Sequence, residues 1–215
     1  MARINQITRN NIYSNKSHNA FNKTCHLLII DAYRTLKSTG YNVDWDEETF
    51  SANLRNEMEK ACSKKQLPYH ITREHVLDTQ QILKGEAKAK TARKIDVVLS
   101  SFLVAKKLVY GIEAKILVEN NFKSKKYSHL NSEYIHEGMD RYINQIYRID
   151  GCIVGYIIEG DPDNIISKIN NLFHKYNRNQ EIIGNKFSLN SFDYCYISKH
   201  SNIYLTHFLL PFAQK

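Results

Sequence analysis

Apolar residues recur along this chain at two spacings, one near 3.6 and one near 2, and the switches between them predict its elements. Over 18–37, HNAFNKTCHLLIIDAYRTLK, the residues Phe21, Leu28, Ala32 and Leu36 fall at helical intervals, and Gly40 stands where a helix stops. The stretch DWDEETFSANLRNEMEKACSKK predicts a second helix. Asp46 is its N-cap, acids fill its first turn, lysines crowd its end, and Phe50, Leu54, Met58 and Ala61 form its buried stripe. Residues 67–77 read as extended after Pro68, and 79–91 as a polar, basic loop or hairpin tip. Residues 93–104 and 108–118 are rich in β-branched residues, and the connection 105–107 is short enough for an antiparallel hairpin. After a polar loop over 119–132, a helix is predicted over 133–149, with Ile135, Met139, Tyr142, Ile146 and Ile149 on one face. A short apolar strand (151–160), a helix opened by Asp161 and Pro162 (161–176), and two strands within 190–212 complete the chain. That order predicts an α/β fold, a three-layer α/β/α sandwich with a mixed central sheet. It reads as one domain over 1–215, with a helical extension (1–45), a core (46–176) and closing strands (190–212).

Charges interrupt the two most strand-like runs. Asp96 lies in RKIDVVLSS, and Glu113 and Lys115 lie in VYGIEAKILV. Side chains two apart in a strand share a face, so Glu113 and Lys115 emerge together while Ile112, Ala114 and Ile116 pack behind. In a hairpin, Asp96 comes near Glu113. Two adjacent buried carboxylates repel each other and persist when a divalent cation sits between them. Oxygen donors of this kind suit Mg2+, or Mn2+, which polarises a phosphoryl oxygen and lowers the pKa of bound water. Lys115 is placed to hold the attacking water or to offset charge on a phosphorane. The bland alternative is an ion network in which Lys115 neutralises Glu113 and Asp96 caps a turn.

Composition changes this picture in one respect. The formal net charge is +8, which favours an acidic partner, most commonly nucleic acid. Lys88, Lys90, Arg93 and Lys94 precede Asp96, and Lys123, Lys125 and Lys126 follow Lys115, so basic residues bracket the charged strands. On the helix over 133–149, Arg141, Gln145 and Arg148 share a face that could meet a phosphate backbone. The four cysteines are scattered and expected to be buried thiols. The N-terminus is polar and no apolar run approaches about eighteen residues, so neither a secretory signal nor a membrane span is expected, and the expected location is cytoplasmic.

Asp96, followed across a hairpin by GIEAK, resembles the PD-(D/E)XK nuclease superfamily, whose fold is restriction-endonuclease-like. Ile95 stands where that family has its proline. The resemblance spans roughly 46–176 and extends to HEGMDRYINQIYRIDGCIVGYIIEGD, which is similar to uncharacterised bacterial members, some of them encoded among restriction or phage-defence genes. It implies a metal-dependent nuclease acting on DNA, double-stranded by expectation, leaving a 5′-phosphate. It further implies a glutamate from the preceding helix as a third metal ligand, for which Glu57 is the best match, and a polar residue from the following helix, for which Gln145 is offered. A homodimer or a larger defence complex would accord with it. A non-catalytic nucleic-acid-binding subunit that retains the fold, and an RNase, are the alternatives.

Overall fold

The computed structural model describes residues 2–76, 83–86, 94–102, 107–201 and 203–213. Two helices come first, α1 (Ala2–Thr39) and α2 (Glu47–Lys64). Strands β1 (Tyr69–Val76), β2 (Lys94–Ser101) and β3 (Leu108–Val118) follow. A helical passage then runs through α3 (Tyr127–Glu133), a π-helical stretch (Tyr134–Met139) and a last turn α4 (Asp140–Ile143). Strand β4 (Asp150–Glu159), helix α5 (Pro162–Lys175), a 3-10 turn (Asn179–Glu181) and strands β5 (Phe187–Leu189), β6 (Phe192–Lys199) and β7 (Tyr204–Pro211) close the chain.

The strands form one seven-stranded mixed sheet in the order β1-β2-β3-β4-β7-β6-β5. The β2–β3 pair is antiparallel, as the short connection requires, whereas β3–β4 and β4–β7 are parallel. Helices cover both faces. Phe21, Leu28, Leu36, Phe50, Leu54 and Met58 of α1 and α2 pack with Val97, Ile112, Ala114, Ile116 and Val154. Tyr134, Ile135, Met139, Ile165, Ile169 and Phe173 pack on the other face with Leu117, Ile153, Ile157 and Leu209. The expected sandwich of helices around a mixed sheet is therefore present. Because β7 pairs with β4, the last strand lies inside the sheet, and β6 and β5 extend it to the edge.

Three elements differ from the sequence reading. The helix over 18–37 is only the later part of α1, whose polar beginning carries no apolar stripe to announce it. The short strand β5 precedes a two-residue turn in which Asn190 and Ser191 both take positive φ, a hairpin geometry with no Gly to signal it. The helix expected over 133–149 begins earlier, at Tyr127, and ends earlier, at Ile143. Gln145, in left-handed backbone (φ 54°), stops it, and Tyr147 N–H closes back onto Arg141 O at 2.9 Å. Arg141, Gln145 and Arg148 therefore do not share a helical face, and Ile146 is exposed rather than buried.

Among the described residues no helix is long and apolar enough to cross a membrane. All four cysteines are free and buried, as their scatter suggested.

Candidate functional site at the fork between β2 and β3

The antiparallel ladder between β2 and β3 stops at the pair Val97–Ile112. Beyond it the alternation of β2 slips: Val97 and Leu99 pack toward α1 and α2, but Ile95 packs on the opposite face. Asp96 sits at that slip, and its Oδ2 accepts a hydrogen bond from Ala114 N–H at 2.7 Å. A carboxylate thus takes the place of the backbone acceptor that the ladder would have supplied.

Glu113 has no exposed surface and three donors. Arg141 Nη1 (2.6 Å) and Lys115 Nζ (3.2 Å) reach its Oε1, and the Tyr147 hydroxyl donates to its Oε2 at 2.8 Å. Lys115 also donates to Ala114 O and to Glu47 Oε1, both at 2.8 Å. Glu47 is the first residue of α2, directly after the N-cap Asp46, whose side chain accepts from Thr49 N–H at 2.7 Å. The cap thereby aims the start of α2 at the fork. The π-helical stretch sits over the same place. Gly138 lies beside Lys115, and two residues beyond the stretch Arg141 extends to Glu113. Such turns recur at functional sites because the extra residue re-aims the side chains that follow.

The acids here hold protons more tightly than ordinary carboxylates. Burial, then the neighbouring Asp96, pushes Glu113 up to about 7 against the pull of Lys115 and Arg141. Burial likewise raises Asp96 and Glu47, with Lys115 opposing in both cases. Lys115 is held above the usual lysine value by Glu47 and Glu113 in spite of its own burial. Three carboxylates and two cations thus act on one another at the fork, and burial outweighs the cations at each acid. Among the described residues no three His, Cys, Asp or Glu side chains already converge as a metal cage.

The sequence candidates divide accordingly. Asp96, Glu113 and Lys115 come together at the fork. Glu57 does not join them: it lies ten residues along α2 from Glu47, roughly 15 Å at helical rise, and its carboxylate pairs with Lys60 at 2.6 Å. Glu47 stands where a third acid was sought. Gln145 lines a separate cleft with Arg148 and Tyr110. Arg141 is not an open phosphate contact, since Glu113 and Glu137 (both 2.6 Å) engage its guanidinium. Lys94 and Lys126 are exposed, Lys125 is half-buried, and Lys123 pairs with Asp44. Lys88, Lys90 and Arg93 lie outside the described residues. Tyr147 was missed because it depends on where the helix ends, and the pairing of Arg141 because it depends on the π-helical stretch before it. Glu47 was missed because an acid in a first turn reads as a dipole partner.

Compared with protein-family models, curated proteins and solved structures, the chain matches none of them.

Proposed function

We propose that the chain is a metal-dependent phosphodiesterase acting on DNA, built on a restriction-endonuclease-like core. The observation that carries this reading is the crowding of Asp96, Glu113 and Glu47 around Lys115 at the fork, each acid protonating above its ordinary range. The donor type suits a hard divalent cation: the carboxylates of Asp96, Glu113 and Glu47 border the fork from β2, β3 and α2, through Ala114 N–H and Lys115, and would have to close in to share an ion. Asp96, Glu113 and Glu47 would hold Mg2+ or Mn2+, and the metal would supply Lewis acidity and a water of lowered pKa.

The chain's own residues have separable tasks. Arg141 and Tyr147 fix the Glu113 carboxylate from two sides. Glu47 anchors Lys115, whose ammonium then points into the same volume as the acids and is available to a water or a phosphoryl oxygen. Exposed Lys94 and Lys126 suit phosphates flanking the fork.

One feature favours the second reading, a binding subunit that retains the fold. Glu113 is already closed by three donors, as in a purely structural ion network. Supercoiled plasmid incubated with Mg2+ and with EDTA separates the two. The nuclease reading expects nicking with Mg2+ alone, lost in Asp96→Asn while DNA binding is kept. Binding without cutting under both conditions favours the subunit.

A further inference from the structure

A second concavity lies beside the fork, at the end of the sheet where β4 and β7 begin. It is a cleft of about 730 Å³, within the range of small-ligand sites. Buried Tyr110, Tyr142 and Tyr147 line it beneath the exposed ring of Tyr204, and Asn19, Asn22 and Gln145 give it amides.

Its floor is unusual. The Tyr142 side chain is buried, yet its hydroxyl has no hydrogen-bond partner among the described residues, and neither does the buried Oδ1 of Asn22. Groups of that kind are rare in folded proteins and call for a partner. The sheet makes room for this hydroxyl. Gly111 and Gly151 are paired across β3 and β4, and a methyl group on either would come within 3.0 Å and 2.4 Å of the Tyr142 oxygen. Two adjacent strands thus give up side chains to seat a phenol that bonds to nothing among the described residues.

The charge pattern narrows the ligand. Burial holds His26 down to about 4, so the ring bonded to the Tyr110 hydroxyl at 2.5 Å is neutral. Asp150 contributes a carboxylate, which Asn22 (2.9 Å) and His18 (3.1 Å) hold in place. A phosphate would be repelled there. A flat, neutral heteroaromatic ring with polar edges fits by stacking on Tyr204 and by hydrogen bonding to the amides and the hydroxyl of the floor. Arg148, exposed at the rim, offers a cation to whatever backbone follows. Tyr147 lines the cleft with its ring and donates its hydroxyl to Glu113, so one side chain separates the two sites.

We propose that this cleft takes one unpaired nucleobase of a DNA strand, the neighbouring phosphate of which lies at the fork. The placement of that phosphate rests on the nuclease reading; the base site itself does not. The substrate would then be single-stranded, frayed or flapped DNA in preference to a blunt duplex.

Fluorescence anisotropy in EDTA tests this without cleavage. The probes are a labelled single strand, the matched blunt duplex and a strand of the same length made abasic throughout. The expected result is about tenfold or tighter binding of the normal strand over the other two, as one stacked base supplies. Tyr142→Phe deletes only the unpartnered hydroxyl and should weaken the single strand about fivefold to tenfold with no fall in Tm. Tyr204→Ala, on the exposed rim, should weaken it by a similar factor through lost stacking. Equal affinity for normal and abasic strands, or wild-type affinity in both variants, overturns the proposal. Mononucleotides are added as competitors. Displacement only in large excess supports a strand as the ligand, whereas displacement below the strand's own saturating concentration makes a free nucleotide the ligand and overturns it. Strand preference without Mg2+-dependent cutting sinks only the nuclease reading. Cutting without strand preference sinks only this one.

Discussion

Two buried polar networks lie under the same π-helical stretch, and they treat charge in opposite ways. At the fork, Asp96, Glu113 and Glu47 are all raised toward protonation, with burial as the largest cause. Across β6 and β7, the Tyr134 hydroxyl meets His207 Nδ1 (2.8 Å), His207 Nε2 meets Ser198 (2.8 Å), and Ser198 meets His200 Nε2 (2.7 Å). His200 then meets Glu181, which Arg178 also binds. In that chain burial keeps both histidines neutral, and hydrogen bonds from Arg178 lower Glu181. Every group settles into its comfortable state, so the network is architecture. The fork is the reverse: burial raises all three acids in spite of Lys115, and the proposed nuclease reading rests on that difference.

The contrast breaks if substitutions in the two networks behave alike. The largest effect is expected at the fork. Lys115→Ala and Asp96→Asn should each lower Mg2+-dependent cleavage about a hundredfold to a thousandfold in a plasmid assay. Asp96→Asn should leave Tm unchanged or raise it, because an amide oxygen can still accept from Ala114 N–H while the repulsion with Glu113 is gone.

Ser198→Ala should do the opposite. It strands His200 and His207 without their shared partner, at a cost of about 2–4 kcal/mol. In a chain of this size each kcal/mol corresponds to about 2–4 °C in thermal melts. Cleavage below the melting range should be unaffected.

Next in size is the choice between two glutamates of one helix. Glu47→Gln should lower cleavage about tenfold or more, because it loosens Lys115. Glu57→Gln should stay within about twofold, since its carboxylate serves Lys60.

The smallest effect is graded with pH. Glu113 must lose its proton to bind a cation, and it does so near pH 7. Cleavage should therefore climb from pH 6 and level off by about pH 8. For stability the sign is reversed. A carboxylate raised in the fold contributes stability that is present below its unfolded pKa and lost as pH rises through 7. Metal-free Tm should fall over that window, and added Mg2+ should restore it at pH 8.

The period of two in VYGIEAKILV made the shared face of Glu113 and Lys115 legible in the sequence, because in an unbroken strand faces follow from alternation. The same alternation misjudged Ile95, which crosses to the other face at the slip. Asp46 was readable as a cap, but the direction in which α2 points was not, so Glu57 was favoured over Glu47. Orientation is set by packing against the sheet, which no local pattern encodes. The end of the helical passage was equally hidden. Nothing in YINQIYRI marks Gln145 as left-handed, and the place of Tyr147 follows from that residue, whereas Arg141 is aimed by the π-helical stretch before it. The partners in the polar network of β6 and β7 left no sequence trace, since Ser198 and His207 come from two strands whose register is a property of the folded sheet, and His200 from the turn between them.

The most direct test is the Mg2+-dependent nicking rate of Asp96→Asn beside wild type, measured on protein shown to melt at or above the wild-type temperature. The account predicts that nicking is lost in a fully folded variant. Nicking at the wild-type rate would contradict it, and so would a loss of nicking that only accompanies a loss of fold.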